Sequence, residues 1–172
     1  ALNAGTTTTI NGTLQNSGTN STIINFGYLT INPGGMLKID VGLNGLFTNK
    51  TGGTVDNYGT INNSRGIVNE ASAQIYNNGT FSNTATFSTF TNSGNYYNYT
   101  GATMNTSANF ILTNNGTIDF QGVTFSQIGT YLGTGSFLAP FINSNIVSPG
   151  STGTNRGCLS FNNGFTNTGT IN

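Results

Sequence analysis

Val55-Asp56-Asn57-Tyr58-Gly59-Thr60-Ile61 returns further along the chain as Ile75-Tyr76-Asn77-Asn78-Gly79-Thr80-Phe81. In both stretches apolar and polar residues alternate on either side of an Asn-x-Gly step, and a period of two is the mark of a strand. The same frame, apolar-x-Asn-x-Gly-x-apolar, recurs at Ile23/Asn25/Gly27/Leu29, Phe90/Asn92/Gly94/Tyr96, Leu112/Asn114/Gly116/Ile118 and Phe165/Asn167/Gly169/Ile171. A partial copy, Leu14/Asn16/Gly18, has Asn20 where an apolar residue is expected. Each copy reads as strand, corner, strand.

The spacing of the repeated glycines favours stacked coils over independent hairpins. The steps from Gly59 to Gly79 and from Gly94 to Gly116 are each roughly 20 residues, a period that suits one turn of a solenoid. The step from Gly79 to Gly94 is shorter and that from Gly18 to Gly27 shorter still, and the frame lapses between Gly27 and Gly59 and between Gly116 and Gly169. Coils with inserted or deleted corners would give that irregularity; so would a sandwich with variable loops. The constant place of the Asn decides for the solenoid. Stacking would align Asn25, Asn57, Asn77, Asn92, Asn114 and Asn167 in a ladder of side-chain amides. Corner glycines Gly27, Gly59, Gly79, Gly94, Gly116 and Gly169 are expected to take the positive φ that a side chain resists.

Composition narrows the class further. Asn (29), Thr (30), Ser (14) and Gly (25) dominate the 172 residues, yet 12 Phe and 7 Tyr and a formal net charge of zero argue against disorder. Gly, Asn, Thr and Ser make poor helix interiors, and no 3.6-residue stripe is present. The expectation is an all-β, single-stranded parallel β-helix, residues 1–172 forming one solenoid domain of about eight coils of roughly 20 residues. At about 4.8 Å per strand that is a rod roughly 40 Å long.

Zero net charge leaves no basic footprint for nucleic acid or an anionic membrane. The longest largely apolar run, Phe137 to Ile142, is broken by Pro140 and is too short to span a bilayer. No signal peptide is visible, and Ala1 in place of an initiator Met is read as the start of a mature product or an excised segment. The single cysteine, Cys158, is expected as a small side chain at a corner, with an exposed thiol forming an intermolecular bridge as the alternative.

The stretch Ser148-Pro149-Gly150-Ser151-Thr152-Gly153, followed by Leu159, Phe161, Gly164 and Phe165-Thr166-Asn167-Thr168-Gly169-Thr170-Ile171, resembles a recurring phrase of bacterial surface proteins. It is similar to the Ser-Pro-Gly, Gly-x-Leu and Gly-x-Phe/Tyr-Thr-Asn passages of autotransporter passenger domains and related cell-surface adhesins. The Asn-x-Gly-Thr-Ile-Asn copies at Asn57 to Asn62 and Asn167 to Asn172 resemble the same group. The resemblance implies a secreted right-handed parallel β-helix that serves adhesion, matrix formation or surface coating. In two respects the chain departs from that group. No C-terminal membrane barrel or sorting domain is read in these 172 residues, and the stop just past a corner is expected of a cropped passenger, or of a subunit whose last coil another molecule completes.

Catalytic chemistry finds little material. With no His, one Cys and four carboxylates, a nucleophile-histidine-acid arrangement is excluded, and no cofactor or metal site is expected. β-Helix lyases and hydrolases rely on clustered acids, but Asp56 lies three residues before Gly59, Asp119 three after Gly116 and Glu70 nine before Gly79. Those offsets predict that stacking does not pair the acids as glycoside hydrolysis needs, so no enzyme is expected. Lys38 and Asp40, at i and i+2, read as a surface ion pair. Thr-x-Thr pairs such as Thr7/Thr9, Thr84/Thr86 and Thr168/Thr170 share no common offset from the glycines. Ice binding is accordingly the lesser alternative.

Tyr96, Tyr97 and Tyr99 form the densest aromatic cluster, and alternation sends Tyr97 and Tyr99 to the face opposite Tyr96. Outward tyrosines suit contact with glycans or a neighbouring subunit; the plainer reading is an aromatic stack running up the coils. Uncapped strand edges invite pairing, and neither terminus shows a charged cap: Ala1 to Asn32 carries no charged side chain, and Arg156 is the last. The expected function is an extracellular or cell-surface structural and adhesive solenoid that stacks end to end into a fibre or layer. A glycan- or host-surface-binding passenger of a larger adhesin is the alternative.

Overall fold

The computed structural model describes residues 1–172 except 17, 41–43, 84, 122–124, 128, 139–140, 145, 150–159 and 162–163, so Cys158 and much of the Ser-Pro-Gly stretch lie outside the described residues. Short strands, numbered β1 to β24 in chain order, wind into a three-sided parallel β-solenoid. The first face holds β1 (Thr7–Ile10), β4 (Tyr28–Ile31), β7 (Thr54–Asn57), β10 (Gln74–Asn77), β13 (Asn95–Asn98), β16 (Thr117–Asp119), β19 (Ser136–Phe137) and β22 (Ser160–Phe161). The second begins with β2 (Thr13–Asn16), β5 (Met36–Ile39), β8 (Thr60–Asn63), β11 (Thr80–Asn83) and β14 (Thr103–Thr106). A separate three-stranded sheet follows in the chain: β17 (Phe125–Gln127), β20 (Phe141–Asn143) and β23 (Phe165–Asn167). On the third face are β3 (Thr22–Asn25), β6 (Leu46–Asn49), β9 (Gly66–Asn69), β12 (Thr89–Asn92), β15 (Ile111–Asn114), β18 (Thr130–Gly133), β21 (Ile146–Pro149) and β24 (Thr170–Ile171). Within each sheet a strand pairs with the one three places on. All the pairings are parallel.

Alternation along each strand separates core from surface. In β7, Val55 and Asn57 are buried while Thr54 and Asp56 look outward, and β10 repeats the pattern with Ile75 and Asn77 inside. The core changes character along the axis. Its first coils are filled mainly by aliphatic side chains such as Ile10, Leu29, Ile31, Leu37, Ile39 and Val55. Later coils are filled by aromatic ones, in contact from Phe81, Phe90 and Tyr96 through Phe120, Phe125 and Tyr131 to Phe137, Phe141, Phe161 and Phe165.

Corner length explains the uneven spacing read from the sequence. Two-residue corners such as Tyr58-Gly59 alternate irregularly with four-residue corners such as Asn32 to Gly35, Lys50 to Gly53, Glu70 to Ala73 and Tyr99 to Ala102. A winding is accordingly short where Thr117 pairs with Ser136 and long where Tyr28 pairs with Thr54. The small interval from Gly79 to Gly94 is no shortened coil. It runs from a corner between the first and second faces to one between the third and first.

The corner glycines answer a different demand from the one expected. None of Gly27, Gly59, Gly79, Gly94, Gly116 or Gly169 has positive φ; that conformation falls in the long corners, at Gly34, Gly52, Ser72 and Gly101. A Cβ on Gly59 would instead strike the Gly35 carbonyl oxygen, and one on Gly79 the Gly59 oxygen, well under 3.0 Å in both cases. At these glycines the short corner brings one coil's backbone onto the next, and a side chain would collide there.

Candidate functional site

The asparagines that end the strands divide into columns, one at each corner of the prism. Between the third and first faces run Asn25, Asn49, Asn69, Asn92 and Asn114, each donating its Nδ2 to the Oδ1 of the next at 2.8–2.9 Å. Between the first and second faces Asn57 donates to Asn77 and Asn77 to Asn98, both at 2.7 Å. At the remaining corner Asn63 donates to Asn83 at 2.8 Å and Asn143 to Asn167 at 2.7 Å. The single line expected of Asn25, Asn57, Asn77, Asn92, Asn114 and Asn167 is therefore corrected. Those six are spread over three corners, because each coil turns three times.

Half of the ladder lacks the glycine that flagged it. Asn49, Asn69 and Asn98 are followed by four-residue corners and Asn63 by Ser64-Arg65, so the Asn-x-Gly frame misses them. A signal existed in their place as the last residue of an alternating run of four. Buried amides also staple their own turns: the Gly27, Gly59 and Arg65 N–H groups donate to the Oδ1 two residues earlier, at 3.2 Å. The Nδ2 reaches a carbonyl of the next coil, as Asn57 does to Thr80 and Asn92 to Thr117, both at 3.0 Å. These columns hold coils together, and they face inward, away from any ligand.

Outside the prism the chemistry concentrates on the first face. Tyr96 is fully buried in the core, whereas Tyr97 projects outward on β13 and Tyr99 stands in the corner that follows. The Tyr97 ring stacks on Tyr76 with centroids 5.1 Å apart and planes 11° from parallel; Tyr99 lies 6.3 Å from Tyr76. Tyr76 escaped notice in the sequence because nothing near it in the chain is part of the cluster; it meets Tyr97 only through the register of β10 on β13. Tyr28 and Tyr58 flank this group, both about half exposed.

Asp56 and Asp119 belong to the same outward column, which corrects their assignment to unrelated registers. The column reads Asp56, Tyr76, Tyr97, Asp119, so three rungs, roughly 14 Å, and two rings separate the carboxylates. Offsets from glycine had compared different corners. Asp119 accepts from the backbone N–H and the side-chain amide of Gln121 at 2.7 and 2.8 Å. The Asp56 carboxylate has neither hydrogen bond nor ion pair among the described residues, and burial raises its pKa above the ordinary 3.8. Burial, and then the neighbouring Tyr97, Tyr99, Asp56 and Tyr28, push the Tyr76 phenol up as well. Tyr76 donates its hydroxyl proton to Gln74 Oε1. A cleft of about 380 Å³ opens here, lined by Asp56, Tyr58, Tyr76, Asn78 and Tyr99.

The other described charges are paired or stacked. Lys38 sits 3.5 Å from Asp40, which also accepts from Gln15 at 2.6 Å; Lys50 meets Glu70 at 2.5 Å. Arg65 lies over the Phe87 ring, 5.4 Å from its centroid. Among the described residues no group of three His, Cys, Asp or Glu could hold a metal ion, and no helix is long and apolar enough to cross a membrane. Neither protein-family models, nor curated proteins, nor solved structures give a match to this chain.

Proposed function

We propose that this chain is an extracellular structural and adhesive β-solenoid that joins end to end into a fibre or surface layer. One observation carries the reading. The column at the corner after the second face begins with Asn16, whose buried Oδ1 has no donor, and reaches Asn167, whose Nδ2 donates only within its own turn, to Gly169 O at 2.9 Å. Inside the stack the next coil closes such a pair, as Asn83 does for Asn63. Where the next rung carries Thr106 in place of an asparagine, the Asn83 Nδ2 is unpaired too. A second copy laid on the last rung would set the donor of Asn167 against the acceptor of Asn16. Because all the amide columns run in one direction, only head-to-tail addition satisfies them, and a heterologous contact of that kind propagates.

The end strands support the same reading. β1 and β2 at one end, and β22, β23 and β24 at the other, pair on one side only among the described residues. Half-buried Leu14, Phe161 and Phe165 pack against the core there, and Ile171 is exposed. The surface-protein resemblance of the Ser-Pro-Gly and Asn-x-Gly-Thr-Ile stretches supports a place outside the cell. Sedimentation velocity from low to high micromolar concentration, with negative-stain electron microscopy, tests the proposal. Expected are rods that lengthen with concentration, and their loss in Ile171→Lys with the fold intact by circular dichroism. Isolated short rods at every concentration would overturn it.

A further inference from the structure

Beyond its part in any assembly, this molecule carries a cleft on its first face whose chemistry selects a ligand. We propose that Asp56, Tyr58, Tyr76 and Tyr99 form a binding site for a small organic cation of the alkylammonium or quaternary ammonium type, seated between the Asp56 carboxylate and the open face of the Tyr76 ring.

Register makes the seat. β10 lies between β7 and β13, so Tyr97 stacks on the Tyr76 face turned to β13, with the Tyr99 ring 6.3 Å away, and β7 offers no ring in register to the opposite face. On β7 the residue in register is Asp56, a side chain far shorter than tyrosine. The step from ring to carboxylate leaves a gap where the aromatic column would otherwise continue. Next below it stands another short residue, Thr30, and Tyr58 and Asn78 close the side at the corner. A group in that gap meets a ring face above and a carboxylate beneath.

Charge selects the occupant. A half-buried carboxylate without a donor is costly unless something compensates it, and the partners of Lys38, Lys50 and Arg65 lie elsewhere. Burial already disfavours ionisation of Asp56. Tyrosine faces carry negative quadrupole potential, which attracts cations within about 6 Å. Neutral sugar hydroxyls could hydrogen-bond the carboxylate but would leave its charge uncompensated.

The test titrates the intact protein with choline, with tetramethylammonium and with 3,3-dimethylbutanol, the uncharged carbon analogue of choline, at constant ionic strength. Tyrosine ring proton shifts in NMR report occupancy, and a panel of neutral monosaccharides forms a separate arm. Choline and tetramethylammonium should bind at least about tenfold more tightly than the neutral analogue. Asp56→Asn should weaken cation binding by about tenfold or more while leaving thermal stability undiminished, and Tyr76→Leu should weaken it as well. Equal binding of the neutral analogue would overturn the proposal, as would unchanged affinity in Asp56→Asn. So would monosaccharide binding without cation binding, which would assign the cleft to glycans.

Discussion

Asn92 lies within the five-membered amide column, bonded to a rung on either side, and its removal measures what the columns contribute. Its side chain is fully buried. It accepts from Asn69 at 2.8 Å and donates to Asn114 Oδ1, Thr117 O and Gly94 O at 2.9, 3.0 and 3.1 Å. Two N–H groups and one acceptor amount to about three net hydrogen bonds, each worth about 1 kcal/mol. The orphan penalty is small, since Asn69 keeps the Asn95 carbonyl at 3.1 Å and Asn114 keeps the Gly116 N–H at 3.3 Å. Asn92→Ala should therefore cost about 3 kcal/mol, or a fall in Tm of roughly 6–12 °C for a chain of this size. Exposed Asn115 is the control, and its Ala variant should stay within about 0.5 kcal/mol of the parent. Urea unfolding followed by circular dichroism gives both values, provided m is unchanged. Were Asn92→Ala to match Asn115→Ala within about 0.5 kcal/mol, the amide columns would not be what couples the coils.

Gly116→Ala would drive a Cβ into the Gly94 carbonyl and should cost about 2–3 kcal/mol, whereas Gly12→Ala, with open space around its Cβ, should be near neutral in the same melts. Phe141 touches Phe125, Tyr131, Phe137, Phe161 and Phe165 in the aromatic half of the core; Phe141→Ala should lose about 3–5 kcal/mol by urea titration. Asp56 has its folded pKa raised above 3.8, so its penalty is fully present at neutral pH and vanishes as pH falls through the folded value toward the unfolded one. Asp56→Asn should thus melt higher than the parent at neutral pH, with the gap closing in acid. Glu70 behaves oppositely: its hydrogen bond from Lys50 lowers the pKa from 4.5, so its small surface contribution holds above that value and is lost as pH falls through the depressed one. Melts of Glu70→Gln against the parent should show a difference at neutral pH that shrinks at low pH.

The sequence by itself determined what is local. Period-two alternation places Val55, Asn57, Ile75 and Asn77 inside and Asp56 and Tyr76 outside, and the Asn-x-Gly step marks a tight corner, because both depend only on residues a few positions apart. The solenoid, and a register that aligns Asn57 with Asn77, follow from the interval between those two copies of the frame. Only the tertiary structure decided which corners stack. Each coil turns three times through corners of unequal length, so a count along the chain drifts, and Asn25 lands on Asn49 rather than Asn57. The outer site was hidden for the same reason. Tyr97 and Tyr99 were visible as a cluster, but Tyr76 and Asp56 reach them from other windings, across backbone hydrogen bonds whose partners no local pattern names. Even the corner glycines show the division. Their positions were legible, while the cause, a carbonyl of the coil beneath, belongs to a neighbour about one full winding away in the chain.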